Sequence, residues 1–529
     1  MSRLRSAMQR GKSVVLEKTE VMKSSNKKKT KAAIKEEETS EPSSYHFFND
    51  LPEISAYRSH LLQWYDQNKR ELPWRTVAMT EPDVNIRTYA VWVSEIMLQQ
   101  TQVATVIDYY NKWMQERWPT VEQLAAATLE EVNQMWAGLG YYSRGRRLHE
   151  GAKKVVSDLN GQMPRCTEGL LKLLPGVGRY TAGAIGSIAL GQVTGAVDGN
   201  VIRVLCRVRA IGADSTGPAV TEALWKIANT IVDTERPGDF NQAMMELGAR
   251  VCTPKSPLCS QCPIQTHCHA FRKVSIKQEQ DSKRLQSKLA SKLNTSVLDI
   301  EDCSAGSCNL CLSEDWDSQQ GVQNYPRKPL KKAPRVEKTL TCIVQRQRGL
   351  ETEYLLTQRP SKGLLAGMWE LPSMVLESDL SENKHGDLLC TMMQRFLETS
   401  LGTDSFQFVG EVVHIFSHIH QTYIVFSVCV SDCSEKEQEQ KTCWLTKCAL
   451  QGAAVSTGLK KIMKLYDSSS TVNSVDIKRK LSPGVGTEKQ SNKKRKLKIV
   501  AANGGPKQLS LSKFFSTSKP ATKTKSKNT

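Results

Sequence analysis

Between about residues 50 and 275, apolar side chains recur every three to four positions. Val103, Val106, Ile107, Tyr110, Trp113 and Met114 fall on one face of a helix, and Leu124, Ala125, Leu129, Val132 and Met135 repeat the pattern. Gly and Pro punctuate the short connections. The pattern predicts an all-α domain over 45–275. From 276 to 335 the chain turns charged and polar with Pro-rich ends, the composition of an interdomain connector. Over 336–466 the period shortens to that of strands, in TLTCIVQ, EYLLTQR and TYIVFSVCV, with one helix expected near 387–400. This second domain is expected to be α+β. Residues 1–44 and 467–529 are polar and lysine-rich, the composition of disordered tails. There is no tandem repeat, and no apolar run approaches a membrane span. The expectation is a multidomain monomer with no membrane partner.

Charge sharpens this division. The net charge is +19, but residues 1–40 hold 11 Lys/Arg against 5 Asp/Glu, and residues 470–529 hold 15 against 2. The tails carry the whole excess and the body is neutral. They raise non-specific affinity for polyanions in a salt-dependent way. NKKRKLK (Asn492–Lys498) reads as a nuclear localisation signal. The basic start MSRLRSAMQRGKSVV lacks the apolar core of a secretory signal, and Glu17, Glu20 and Glu36 to Glu38 leave room for a short mitochondrial presequence at most. The nucleus is the expected location, with the mitochondrion second. Fifteen cysteines then read as metal ligands and buried thiols, not disulfides.

Four of them, Cys252, Cys259, Cys262 and Cys268, are spaced C-x6-C-x2-C-x5-C. Thiolates at this density suit an iron–sulfur cluster or zinc. Upstream, LLPGVGRYTAGAI (Leu173–Ile185) reads as a hairpin between helices. Pro175 ends the first helix, Gly176 and Gly178 permit tight backbone geometry, and N–H groups opening the next helix can take a phosphate. About twenty residues on, AVDGNVIRVLCR carries Asp198, which also reads as a helix N-cap ahead of Gly199 and Asn200. Hairpin, acidic residue and four-cysteine loop, in this order, resemble the helix-hairpin-helix DNA glycosylases of the endonuclease III and MutY type. The resemblance implies a [4Fe–4S] cluster on the four cysteines. It also implies a carboxylate, Asp198, that stabilises the sugar cation formed when an N-glycosidic bond breaks.

Three sites point to the MutY branch. WVSEIMLQQTQV is expected to place Glu95 at the front of a helix, and it resembles the block of adenine glycosylases in which this glutamate is the general acid. Adenine leaves poorly unless protonated, and a carboxylic acid with a raised pKa can supply the proton. Tyr180 stands where lyase-type members carry a Schiff-base lysine, so the resemblance implies a monofunctional enzyme with water as the final nucleophile. GLGYYSRGRRL (Gly138–Leu148) is similar to the loop that wedges an aromatic beside the lesion, with Tyr141 as the wedge and Gln100 as a second inserting residue. Asn200 is carried over with the DNA-contacting residues, and Trp74, Arg75 and Glu246 match adenine-pocket residues of the family.

The second domain resembles the Nudix fold without its chemistry. Active members hold Mg²⁺ with R-E-x-x-E-E-x-G, but here the stretch is RFLETSLG (Arg395–Gly402), with Phe396, Thr399 and Ser400 at glutamate positions. In MutY relatives this domain reads 8-oxoguanine. GEVVHIFSHIH matches its recognition loop, with Phe416, Ser417 and His418 in the matching places. Cys303, Cys308 and Cys311 (C-x4-C-x2-C) resemble the zinc site of animal relatives, with His46 matching its remote fourth ligand. The same resemblance implies docking of a checkpoint sliding clamp and an abasic-site endonuclease on the connector. QLSLSKFF (Gln508–Phe515) fits the box that binds the sliding clamp PCNA, through Gln508, Leu511, Phe514 and Phe515.

The implied function is excision of adenine opposite 8-oxoguanine (or guanine) in double-stranded DNA. Two rivals differ from it in testable ways. An endonuclease III-like lyase requires a lysine at position 180. A non-catalytic iron–sulfur adaptor would be indifferent to loss of Glu95 or Asp198. A Nudix nucleotide hydrolase is a third, testable by Mg²⁺-dependent turnover.

Overall fold

The computed structural model describes residues 44–287, 303, 308–312, 316–326, 333–360, 363–377, 384–397, 400–416, 418–431 and 441–480. The expectations placed on 1–43, on Thr399, on Ser417 and on 481–529, including Asn492–Lys498 and the Gln508–Phe515 box, lie outside these residues.

Thirteen α-helices among the described residues build the first domain: α1 (Leu51–Asn68), α2 (Pro73–Thr80), α3 (Val84–Leu98), α4 (Val103–Asn111), α5 (Val121–Ala126), α6 (Leu129–Trp136), α7 (Ser143–Leu159), α8 (Thr167–Leu173), α9 (Arg179–Leu190), α10 (Gly199–Val208), α11 (Pro218–Ile231), α12 (Pro237–Arg250) and α13 (His269–Ser287). Local chemistry sets many of their starts. Asp50, Asp83, Thr120, Thr128 and Asp198 each cap a first turn through a side-chain oxygen, worth about 1 kcal/mol apiece. Thr120 and Thr128 complete capping boxes with Gln123 and Glu131.

The helices pack into two apolar cores. One gathers Trp74, Trp92, Met97, Trp113, Leu124, Trp136 and Ile185 from α2 to α9. The other gathers Tyr57, Leu61 and Tyr65 of α1 with Leu205, Leu224, Phe240 and Leu247 of α10, α11 and α12. The expected helical face Val106, Tyr110 and Trp113 lies in the first core, as do Leu124 and Val132. Close packing has a sequence cause at Gly145 on α7, where a Cβ would lie 2.8 Å from the Trp136 ring.

Two boundaries differ from expectation. The helix α13 continues through residue 275 to Ser287, because the connector opens on Lys, Glu and Gln residues that favour helix and contains no breaker there. The connector is also not a free tether where it is described. Leu310 is buried in the second core, and its carbonyl accepts from Gly212 N at 3.0 Å. Val322 and Tyr325 pack with Ala210 and Ala270.

The second domain is a seven-stranded sheet of β1 (Arg335–Arg348), β2 (Glu351–Gln358), β3 (Trp369–Glu370), β4 (Ser373–Leu376), β5 (Gln407–Ile415), β6 (Ile419–Val430) and β7 (Thr442–Thr446). The order is β3-β2-β1-β6-β5, with β4 on β1 and β7 on β2. A long parallel pairing of β1 with β6 forms its spine, and the other pairings are antiparallel. Alternation along β1 feeds two cores. Leu340, Cys342 and Val344 meet α14 (His385–Met393), whereas Ile343 faces the side covered by α16 (Thr457–Lys480). A short α15 (Lys447–Gly452) follows β7. The helix expected near 387–400 is thus shorter and earlier: it ends at Met393, and Gln394 to Phe396 form a turn that carries Phe396 and Leu397 into the core. The helix α16 runs past the boundary expected at 466. The domains meet where Met368 enters the first helical core and Trp369 Nε1 donates to Glu130 Oε1 at 3.1 Å.

Candidate active site and metal centres

A cavity of about 430 Å³ opens between the two helical cores, within the roughly 300–1,000 Å³ of small-molecule pockets. Its walls come from six places in the chain: Trp74 and Arg75 on α2, Glu95 on α3, the 99–101 segment, Tyr180 on α9, Asp198 to Asn200 opening α10, and Met245 and Glu246 on α12. The sequence reading named eight of these residues, and the fold brings all eight to one place.

Glu95 is 4% exposed and lies in the last turn of α3, not at the front of a helix as expected, because the apolar run 89–93 before it belongs to the same helix. Burial raises its carboxyl to about 7. The hydrogen bond from Tyr180 and the Arg75 charge oppose the rise, and the Asp198 carboxylate adds to it. The Tyr180 hydroxyl donates to Glu95 Oε2 at 2.7 Å. Burial, together with Glu95 and Asp198, pushes the phenol well above its usual value, so it stays a donor.

Asp198 caps α10. Its Oδ1 accepts from Asn200 N at 2.9 Å and Val201 N at 2.7 Å, and its Oδ2 accepts from Asn200 Nδ2 at 2.8 Å. Burial pushes its carboxyl up while these donors pull it back. Cap and candidate stabiliser are one residue: the cap fixes the carboxylate at the cavity wall. Glu246 is fully inside, bound by Arg70 at 2.6 Å and Arg75 at 2.9 Å. Burial would raise it, but the two guanidiniums outweigh burial and hold it below the usual carboxylate range.

Tyr141 and Gln100 stand apart from the buried groups. Gln100 lines the cavity mouth, whereas Tyr141 is 47% exposed. Both have left-handed backbone, φ 57° and 48°, which costs a residue with a Cβ about 1–3 kcal/mol. Arg144 holds both loops. Its guanidinium donates to the carbonyls of Ile96 (3.0 Å), Met97 (2.8 Å), Gln99, Leu139 (3.3 Å) and Gly140 (2.9 Å), and to Thr101 Oγ1 (3.1 Å). The hairpin joins α8 to α9. Gly176 has φ 80°, and a Cβ there would lie 2.9 Å from Arg147, whereas around Gly178 the space is open and no side chain caps α9. Arg70, Gln242 and Arg144 escaped the sequence reading. Arg70 sits beside a recognised block and Arg144 inside one, but Glu246, which Arg70 binds, and the 96–101 acceptors of Arg144 are distant in sequence.

Cys252, Cys259, Cys262 and Cys268 line one small cavity with apolar walls that include Val204, Leu247, Ile264 and Phe271. Arg207 Nη1 lies 3.3 Å from Cys252 Sγ. Burial pushes Cys262 and Cys268 up to about 12, so without a cation they would stay protonated. Four thiols around an apolar-walled cavity beside a donor fit an iron–sulfur cluster. His46, Cys303, Cys308 and Cys311 place their ligand atoms within 4.8 Å of one another. His46 Nδ1 donates to the Arg209 carbonyl at 2.8 Å, which leaves the Nε2 lone pair facing Cys311 Sγ at 3.3 Å. Three thiols and one oriented imidazole match the donor set of a tetrahedral zinc site.

In the sheet domain Phe416 and His418, two of the residues matching the recognition loop, lie between β5 and β6. Phe416 N donates to Ile419 O at 2.8 Å, its ring lies 4.5 Å from that of His414, and His418 is exposed.

Comparison with known proteins agrees with this arrangement. Residues 93–230 match the HhH-GPD superfamily of base excision DNA repair proteins, residues 252–268 the iron–sulfur binding domain of endonuclease III, and residues 341–465 the NUDIX domain. The chain is 53% identical to the adenine DNA glycosylase of Homo sapiens over 429 residues, 80% of this chain and 76% of that one. It is also 53% identical to that of Mus musculus over 430 residues, 80% of each. A solved complex between the C-terminal domain of mouse MUTYH and human PCNA aligns at 32% identity, covering 28% of this chain and 94% of that one, with a TM-score of 0.23.

Proposed function

The chain belongs to the adenine DNA glycosylases of base excision repair, and on that premise we propose that it removes adenine mispaired with 8-oxoguanine, with Glu95 as general acid and Asp198 as the stabiliser of the sugar cation. The observation that carries this reading is the buried Glu95 carboxyl, raised to about 7, sharing one cavity with Asp198. Glu95 protonates a ring nitrogen of the extruded base. The C1′–N bond then breaks and its electron pair leaves with adenine. Asp198 faces the positive charge left on the sugar, water adds at C1′, and that water gives its proton to the Glu95 carboxylate, which restores the acid. Tyr180 holds Glu95 in place and offers no amine, so strand cleavage through a Schiff base is not part of the reaction. Trp74, Arg75 and Glu246 wall the base pocket. The hairpin around Gly176 and Gly178 takes a DNA phosphate, and Gln100 and Tyr141 occupy the space that the extruded base vacates.

Phe416, Ser417 and His418 read the oxidised guanine, whose N7 is a donor where that of guanine is an acceptor. Cys252, Cys259, Cys262 and Cys268 hold a [4Fe–4S] cluster that orders their loop, and zinc joins His46, Cys303, Cys308 and Cys311. The Gln508–Phe515 box binds PCNA, and the connector docks the checkpoint clamp and abasic-site endonuclease. The protein acts as a monomer, in the nucleus and secondarily in the mitochondrion.

Single-turnover adenine release from duplexes with 8-oxoguanine opposite A and guanine opposite A, with Glu95→Gln alongside, tests the reading. It expects the fastest release opposite 8-oxoguanine and loss in the variant. Equal release from both duplexes would remove the recognition role, and an active variant would remove the acid.

A further inference from the structure

We propose that Arg144 is a positioning residue that joins the 99–101 segment and the Gly138–Tyr141 loop into one clamp, so that Gln100 and Tyr141 enter the duplex together and extrude the adenine before cleavage. This rests on the functional reading above and adds a side chain outside the cavity lining.

Arg144 is 7% exposed, yet among the described residues it forms no ion pair. A buried guanidinium ordinarily needs a carboxylate. Here the compensation is a ring of backbone carbonyls and one hydroxyl, taken from two segments about forty residues apart in the chain. The acceptors include the carbonyl directly before each inserting residue, that of Gln99 before Gln100 and that of Gly140 before Tyr141. Those two inserting residues carry left-handed backbone, which persists where the surroundings over-determine it. The guanidinium also lies 5.5 Å from the Tyr141 ring, and Trp136 Nε1 donates to the same Gly140 carbonyl at 3.0 Å. A planar fork with five donors can span both segments at once, and an ammonium cannot. The same side chain reaches the last turn of α3 through Ile96 and Met97, one and two residues beyond Glu95.

A merely structural arginine would affect folding alone, so the test reads base extrusion. Asp198→Asn protein binds a duplex with 2-aminopurine opposite 8-oxoguanine, and the fluorescence gain on unstacking is recorded with and without Arg144→Lys or Thr101→Val. Iron content and thermal unfolding are measured on each. The clamp predicts that Arg144→Lys keeps iron and melting temperature but loses most of the fluorescence gain. In the otherwise unmodified chain the same substitution slows adenine release about 100-fold. Thr101→Val, which removes one bond, loses part of the gain. Undiminished gain in both variants overturns the proposal, as does a loss that tracks iron or melting temperature. If Arg144→Lys does not fold, undiminished gain in Thr101→Val overturns it alone. Failure of the functional reading looks different: the unmodified chain releases no adenine while Asp198→Asn still raises the fluorescence.

Discussion

Three carboxyls and a phenol, those of Glu95, Asp198, Glu246 and Tyr180, line one cavity in the helical domain. In the sheet domain, the stretch where a Nudix enzyme would place its metal-binding glutamates instead turns Phe396 and Leu397 into the core against Leu340, Cys342 and Val344. The first arrangement is expensive. A buried carboxylate costs several kcal/mol unless donors or cations compensate it, and here two arginines, a phenol and a helix cap do so to different degrees. The second is inexpensive, because an apolar residue at position 396 adds to the sheet-to-helix packing. The helical domain thus gathers these buried polar groups at one cavity, and the sheet domain uses this stretch for packing.

The comparison makes graded predictions. Asp198→Asn should reduce single-turnover adenine release by more than about 10³-fold while shifting thermal unfolding little, because asparagine caps a helix as well as aspartate does. A large fall in melting temperature would instead make Asp198 chiefly a cap. Phe396→Glu should destabilise the sheet domain by about 3–5 kcal/mol in denaturant unfolding and yield no Mg²⁺-dependent nucleotide hydrolysis. Hydrolysis gained there would break the contrast between the domains.

The pH dependence follows from Glu95. Its protonated form is the acid and its pKa is raised to about 7, so kcat/KM should fall tenfold per pH unit above 7. The same shift has a stability consequence. Between the unfolded carboxylate value and 7 the folded chain binds the extra proton, so Glu95's contribution is present at low pH and lost as pH rises through 7. A flat profile through pH 8 would remove Glu95 as acid. The smallest expected effect lies between β5 and β6. His418→Ala should narrow the preference for 8-oxoguanine over guanine about tenfold and leave the rate opposite guanine unchanged.

Much of the site was legible in order along the chain. Asp198, Tyr180 and the four-cysteine loop sit in long blocks whose local pattern already implies a cap, a hairpin and a thiol cluster, whereas the block of Glu95 reads as the front of a helix and the structure places Glu95 in the last turn of one. The pairing of His46 with Cys303, Cys308 and Cys311 was legible from resemblance alone, because more than 250 residues separate the imidazole from the nearest thiol. The length of α14, the extension of α13 and the seating of Leu310 in a core were not legible, since each depends on packing surfaces supplied from elsewhere in the chain. Arg144 is the clearest miss. It reads as one more basic residue in SRGRRL, and its role is set by carbonyls that only the folded backbone turns toward it.

Periodicity and residue type determined the helical first domain, the strand-rich second, the helix caps and the chemical kinds of group present, because those depend on neighbours within a few positions. The tertiary structure decided which groups share a cavity, how far burial raises Glu95, and which arginines neutralise Glu246. It also decided which strained loops are held together. These depend on desolvation and on distances between residues far apart in sequence, and both arise only when the two helical cores close on each other.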